Sequence, residues 1–314
     1  MEAARDVDDI FVYMGGDQEV PDFVRRARIH ISVKIVQRRA FYQRRRLISV
    51  DFHDGVEIIE EEAFYGCQSL RGVKLLGVRN IKKDAFYYCK SMTAVEFGDR
   101  LETIGQSSFH FCTALTNVRM PSMRTIGESA FSHCNELSDV EFGDGLRTIQ
   151  YRAFRNCPEL KRIALPLKDD MIKGSVFLGC PKLATVDLVG GIHQTVAALH
   201  LESWRNEMNN RVNQVLRTTS SWDGKTDAIK QWMDSVIRQL DHYKNEHHQM
   251  LKEATTLLEL ALWKANLDDN NGGEIEIEGV RTTRSRKRAR KEICVTSGAD
   301  VVIKNVLPFL PSLK

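Results

Sequence analysis

The stretch Ala63-Phe64-Tyr65-Gly66-Cys67-Gln68-Ser69-Leu70-Arg71-Gly72-Val73-Lys74-Leu75 decides how the first two thirds of the chain are read. Its skeleton, Ala-Phe-x-x-Cys-x-x-Leu-x-x-Val-x-Leu, returns along the sequence. The recurring phenylalanines are Phe41, Phe64, Phe86, Phe109, Phe131, Phe154 and Phe177, separated by 23, 22, 23, 22, 23 and 23 residues. A fixed period of this length marks stacked supersecondary units, none of which buries its apolar side alone.

Within each unit the apolar positions follow a fixed order. Cysteine comes three residues after phenylalanine at Cys67, Cys89, Cys112, Cys134, Cys157 and Cys180, and Leu or Met three further on. Then come Val73/Leu75, Val95/Phe97, Val118/Met120, Val140/Phe142, Ile163/Leu165 and Val186/Leu188. Two apolar residues with one position between them specify a short strand with one buried face. One such strand per unit, in register, predicts a parallel ladder. The unit at Phe41 departs from the pattern, with Arg44 at the cysteine position and Leu47 to Phe52 after it. A strand at Ala27 to Ile31, with Ile35 as its later apolar residue, is expected before it. Polar replacement of a core position suits a capping unit.

These residues resemble the BspA-type leucine-rich-repeat family, whose units share the A-F-x-x-C-x-x-L-x-x-V-x-L order, over about residues 24–190. The whole chain, with its long helix and basic tail, also resembles algal multigene members of that family. The resemblance implies an α/β fold: a right-handed, horseshoe-like leucine-rich-repeat solenoid of short stacked parallel strands. It also implies a binding role, often towards proteins, and no reaction or cofactor.

The cysteine ladder admits buried thiols, disulfides or metal ligands. Stacked equivalent positions hold their Cβ vectors parallel, which is poor geometry for a bridge. A line of single cysteines does not converge on a tetrahedral metal. Free cysteine behaves as a small buried apolar residue, so a structural ladder is favoured.

Positions alternating outward from the apolar pair are the candidate partner-binding residues: Asp51, Lys74, Glu96, Asn117, Arg119, Asp139, Glu141, Arg162 and Asp187, with Ala164 also in an outward column. Opposite charges on adjacent strands attract by about 0.2–1 kcal/mol per pair. Mutual satisfaction and partner binding are therefore compatible readings of the same columns. The basic stretch Arg25 to Arg46 invites a phosphate-binding reading. Repeat register instead sets Arg38 and Arg39 beside Glu61 and Glu62, which favours a cap paired with the next unit.

Residues 192–267 change to a helical pattern, read as a hairpin, with a first helix at about 195–217 and a second at about 225–266. Ile229, Met233, Val236, Leu240, Tyr243, His247, Met250, Ala254, Leu257 and Ala261 follow 4-3-4-3 spacing, a heptad seam. Its partner is the preceding helix, a second chain in a dimer, or the solenoid end. Residues 268–291 read as an acidic and then basic linker. Its cluster Arg286, Lys287, Arg288, Arg290 and Lys291 suits nuclear import or polyanion binding. No aromatic residue interleaves it, so base stacking there lacks support. Residues 292–314 form an apolar segment expected to dock, and residues 1–23 an extension.

The 45 basic and 42 acidic residues leave no global charge that demands nucleic acid or a membrane. An acidic amino terminus without an apolar stretch, and seven cysteines, predict an intracellular chain, nuclear or cytoplasmic. No metal set, phosphate loop or nucleophile motif stands out. The function expected is a non-enzymatic protein-binding scaffold, with a nuclear nucleic-acid-associated regulator or a surface adhesin as alternatives.

Overall fold

The structure, a computed structural model, describes residues 10–189, 198–219 and 224–270. It contains fifteen short strands and two helices among those residues, and every strand pairing is parallel. Each repeat contributes one outward strand and one two-residue strand. The outward strands form two sheets: β1 (Phe11–Tyr13), β2 (Arg26–Ile29), β4 (Ser49–Asp51), β6 (Gly72–Leu75) and β8 (Ala94–Phe97), then β10 (Asn117–Met120), β12 (Asp139–Phe142), β14 (Arg162–Pro166) and β15 (Thr185–Val189). The two-residue strands, from β3 (Ile35–Val36) through β13 (Thr148–Ile149), make a third and unbroken sheet. The outward ladder is interrupted between β8 and β10, where the Thr116 amide reaches the Thr93 carbonyl at 3.4 Å.

Between the sheets runs a spine of phenylalanine rings. Phe41, Phe64, Phe86, Phe109, Phe131, Phe154 and Phe177 are fully or almost fully buried, and successive rings stack with centroids 4.8, 5.0, 5.1, 5.2, 5.4 and 6.1 Å apart. Ring pairs in this range contribute about 0.5–1.5 kcal/mol beyond their area. The turns that carry the rings are themselves a ladder. The Glu62, Phe64 and Gly66 amides donate to the next unit's Lys83, Ala85 and Tyr87 carbonyls, whereas Tyr65 and Cys67 donate within their own unit. Alternation of this kind needs left-handed backbone two residues before and two after each phenylalanine. Glycine meets that need at Gly66 (φ 71°) and Gly179 (φ 74°), but Asp84, Tyr88, Ser107, Phe111 and His133 adopt it too. The inter-unit bonds offset a cost of about 1 kcal/mol at each non-glycine position.

The six cysteines of the repeats complete the core. Each is free and buried, and its thiol donates to the carbonyl of the preceding unit's phenylalanine: Cys67 to Phe41 (3.1 Å), Cys89 to Phe64 (3.3 Å), Cys112 to Phe86 (3.3 Å), Cys134 to Phe109 (3.3 Å), Cys157 to Phe131 (3.1 Å) and Cys180 to Phe154 (3.0 Å). The Phe64 carbonyl already accepts the Cys67 amide, so the thiol of Cys89 engages its second lone pair.

The ladder starts earlier than the repeat pattern indicates. Residues 1–23 were expected to be an extension, yet β1 pairs with β2 and Tyr13 packs its ring on Phe41 at 5.2 Å. Val36, in register with Ile59 and Ile81, is buried, and Ile35 is exposed, so the later apolar position falls one residue beyond the expected one. Arg44, at the cysteine position, donates to the Val20 and Tyr42 carbonyls and pairs with Asp22 at 2.7 Å.

Both ends of the outward ladder are closed by side-chain amides. At the amino end Gln18 accepts from the Met14 amide (2.6 Å) and donates to the Val12 carbonyl (3.3 Å). At the other end α1 (Ala198–Thr218) presents Asn213 and Asn209, which accept from the Val186 (2.8 Å) and Leu188 (3.3 Å) amides. The first residues of α2 (Gly224–Asn270) close the turn column. Thr226 takes the Phe177 amide at 2.9 Å, and Lys225 donates to the Pro181 (2.6 Å) and Leu183 carbonyls.

Residues 204–219 and 224–237 accordingly fall in the same compact unit as the repeats, and Val212, Leu216, Ile229 and Met233 join its core. Ile229, Met233 and Val236, the first three residues of the heptad seam, are buried in that unit. A second unit contains residues 198–203 and 238–270; there Leu257, Leu260 and Leu262 are exposed. The seam residues Leu240, Tyr243, His247 and Met250 have side chains outside the described set, and so have segments 271–291 and 292–314.

Asn213→Ala leaves the Val186 amide buried without an acceptor. Urea denaturation is expected to show a loss of about 1–3 kcal/mol.

Candidate functional site

Strand alternation sends Val73, Val95, Val118 and Val140 inward and Lys74, Glu96, Arg119 and Glu141 outward. Parallel register then sets the outward residues of successive units side by side: Lys74 opposite Glu96 and Arg119 opposite Glu141. The column resolves into ion pairs, Arg28–Asp51 at 3.5 Å, Lys74–Glu96 at 3.1 Å and Arg119–Glu141 at 3.2 Å. Arg162 bridges two acids, reaching Asp139 at 3.0 Å and Asp187 at 2.6 Å. The first three pairs are well exposed, so each contributes no more than about 1 kcal/mol.

Of the expected outward residues, Asp51, Lys74, Glu96, Asn117 and Arg119 are exposed, and Asp139, Glu141, Arg162 and Asp187 are half-exposed. Ala164 is not outward in effect. It is fully buried, lying in register between the longer side chains of Glu141 and Asp187. Beside the ion-pair column runs a lower one, Ser49, Gly72, Ala94 and Asn117. The Thr93, Thr116 and Ser138 hydroxyls border it and donate back to the Arg71 (3.1 Å), Thr93 (3.3 Å) and Thr116 (3.1 Å) carbonyls. The face is therefore rigid, close to neutral and internally satisfied.

The basic region splits in the structure. Arg39 meets Glu62 at 2.6 Å and Arg38 meets Glu61 and Glu62 at 4.0 and 3.7 Å, as register implied. The cluster Arg286, Lys287, Arg288, Arg290 and Lys291 lies outside the described residues. Among the described residues no group of three His, Cys, Asp or Glu side chains could hold a metal ion. No helix among them is long and apolar enough to cross a membrane.

A second ordered column escaped the sequence reading, although it has the same period. One residue after the spine, Tyr42, Tyr65, Tyr87 and His110 stack at 5.1, 4.9 and 5.1 Å, and His133, two residues after Phe131, meets His110 at 5.3 Å. Burial, followed by the charges of His133 and Arg155, pulls His110 down to about 4. His133 is lowered as well, through burial and then Arg155. Burial drives the cysteines the other way, Cys67 and Cys112 up to about 12 and Cys89, Cys134 and Cys157 well above their ordinary value.

The sequence model of the BspA type leucine rich repeat region matches six copies in this chain, over residues 34–123 and 114–198. The chain belongs to that family. Among solved structures it is similar to a leucine-rich repeat protein of T. pallidum, with 29% identity and TM-score 0.41, over 53% of this chain and 79% of that one. Another is a leucine-rich repeat protein from Eubacterium ventriosum, with 12% identity and TM-score 0.37, over 53% and 73%. A third is the pneumococcal vaccine antigen PcpA, with 18% identity and TM-score 0.33, over 58% and 66%. No curated protein matches the chain.

Two outcomes follow from the buried groups. Iodoacetamide at pH 8 is expected to spare Cys67, Cys89, Cys112, Cys134, Cys157 and Cys180 in the folded chain and to label them in urea, as mass spectrometry would show. The folded value of His110, about 4, lies below the ordinary 6.5. Between those values the unfolded chain binds more protons, so stability rises with pH across this window and is lost as pH falls through it. His110→Tyr, which extends the tyrosine column with a neutral ring, is expected to flatten that slope in melts between pH 4 and 7.

Proposed function

We propose that this chain is a non-enzymatic, intracellular scaffold that binds another protein through the outward columns of its strand ladder. Family membership supports a binding role. The observation that carries the finer reading is the ion-pair column from Arg28 to Asp187, set beside the low column Ser49, Gly72, Ala94 and Asn117. Long side chains held by neighbours across strands lose less freedom on binding than free ones. Alternating sign suits a protein surface of mixed charge and opposes a uniformly charged polymer. Six buried thiols agree with a reducing compartment.

Charge swaps separate recognition from stability. Lys74→Glu with Glu96→Lys, combined with Arg119→Glu and Glu141→Arg, keeps each ion pair and inverts the pattern. Affinity capture is expected to lose the partner by about tenfold or more, while the unfolding free energy from urea denaturation stays within about 1 kcal/mol of the parent. An unchanged set of captured proteins would remove the outward columns from the binding surface.

A further inference from the structure

The amino-terminal repeats carry a second surface, at the corner where the turns run into the outward strands. Register places its members. Ser49 pairs with Arg26, the Ile48 amide donates to the Arg25 carbonyl at 2.7 Å, and the Arg71 amide donates to the Ile48 carbonyl at 3.0 Å. Arg25 and Arg71 thus flank Ile48 on the rungs to either side. Counting back along the same register sets Phe23 beside Arg46, with the buried Val24 and Leu47 side by side beneath them. Phe23 is 70% exposed, unusual for a ring in a protein whose other phenylalanines are mostly buried.

The arginines divide by what they meet. Arg28, Arg38 and Arg39 pair with the acids of the next unit, and Arg44 is occupied by Asp22 and two carbonyls. Arg25, Arg45, Arg46 and Arg71 are exposed, and among the described residues their side chains make no ion pair or hydrogen bond. Four exposed guanidinium groups without a described protein partner, spread over three successive rungs that begin beside one exposed aromatic ring, have the composition of a binding hot spot.

We propose that this corner binds a short acidic peptide segment that carries an apolar side chain. Guanidinium forks accept carboxylates bidentately, and the Phe23 ring supplies the apolar anchor. The three rungs from Arg25 to Arg71 span about 10 Å, roughly three residues of extended peptide. A longer polyanion finds no continuation. Beyond Arg71 the column becomes Thr93, Thr116 and Ser138, the column beside it is Ser49, Gly72, Ala94 and Asn117, and the charged column further out has its Lys74 and Arg119 already paired with Glu96 and Glu141. The surface adjoins the low column, since Arg71 directly precedes Gly72, but its arginines and Phe23 are not members of the outward columns, and the proposal does not depend on those columns having a partner.

Fluorescence anisotropy tests it on the full chain. The probe is a labelled peptide of about twelve residues alternating glutamate and leucine; the comparators are an alternating glutamate–glycine peptide and an oligothymidylate of similar length. Arg25→Glu with Arg46→Glu and Arg71→Glu is expected to weaken the glutamate–leucine peptide by about tenfold or more, and Phe23→Ser by about threefold or more. The glutamate–glycine peptide is expected to bind more weakly than the glutamate–leucine one to the parent chain and to be indifferent to Phe23→Ser. All four positions are exposed, so melting is expected to be unchanged, and the Lys74/Glu96 swap is expected to retain full affinity. Equal peptide affinity across the variants would overturn the assignment. So would oligothymidylate binding more tightly than the peptide with the same arginine dependence, which would make the corner a nucleic-acid surface.

Discussion

Everything in the repeat region depends on one constraint: each unit must satisfy the backbone of the next. The strands pair in register, the turns donate forward through every second amide, and each thiol reaches back to the preceding phenylalanine carbonyl. The phenylalanine spine is the apolar expression of the same stacking. Its rings lie about one strand spacing apart because their backbones do. A sequence that keeps Ala-Phe-x-x-Cys in step is therefore held to one rotamer, one turn and one bond pattern at once. That repetition accounts for Asp84, Ser107 and His133 accepting a backbone conformation usually left to glycine.

The period made the spine, the cysteines and the outward strands legible, since each recurs in the same order at a spacing of 22 or 23 residues. The leading strand was hidden by spacing. Tyr13 pairs with Ile29, only 16 residues further on, and a connection that much shorter than the 22- or 23-residue period removes it from the pattern. The caps were hidden by chemistry. Gln18, Asn209 and Asn213 sit in polar surroundings and do through side chains what the repeats do through backbone, which no periodicity records. Ala164 failed for a third reason, because alternation gives direction but the size of the neighbours decides exposure.

The helices illustrate a different limit. A 4-3-4-3 stripe states that one side of a helix is covered and is silent about what covers it. In the described structure the seam divides: Ile229, Met233 and Val236 are buried in the repeat unit, whereas Leu257, further along the same helix, is exposed. The candidate surfaces were legible to unequal degrees. The paired columns follow from strand alternation alone, but the unpaired arginines around Phe23 emerge only after the paired ones have been subtracted.

The two amide closures have a bearing on ancestry. Gln18 stops the ladder at one end, and Asn209 with Asn213 stops it at the other, and neither stop touches a middle repeat. The extent of the outward face is thus set by how many units lie between the two terminators. Unequal recombination within the gene lengthens or shortens that face by whole rungs while leaving both terminators intact. A lineage carrying this architecture can change the number of exposed rungs without rebuilding either end.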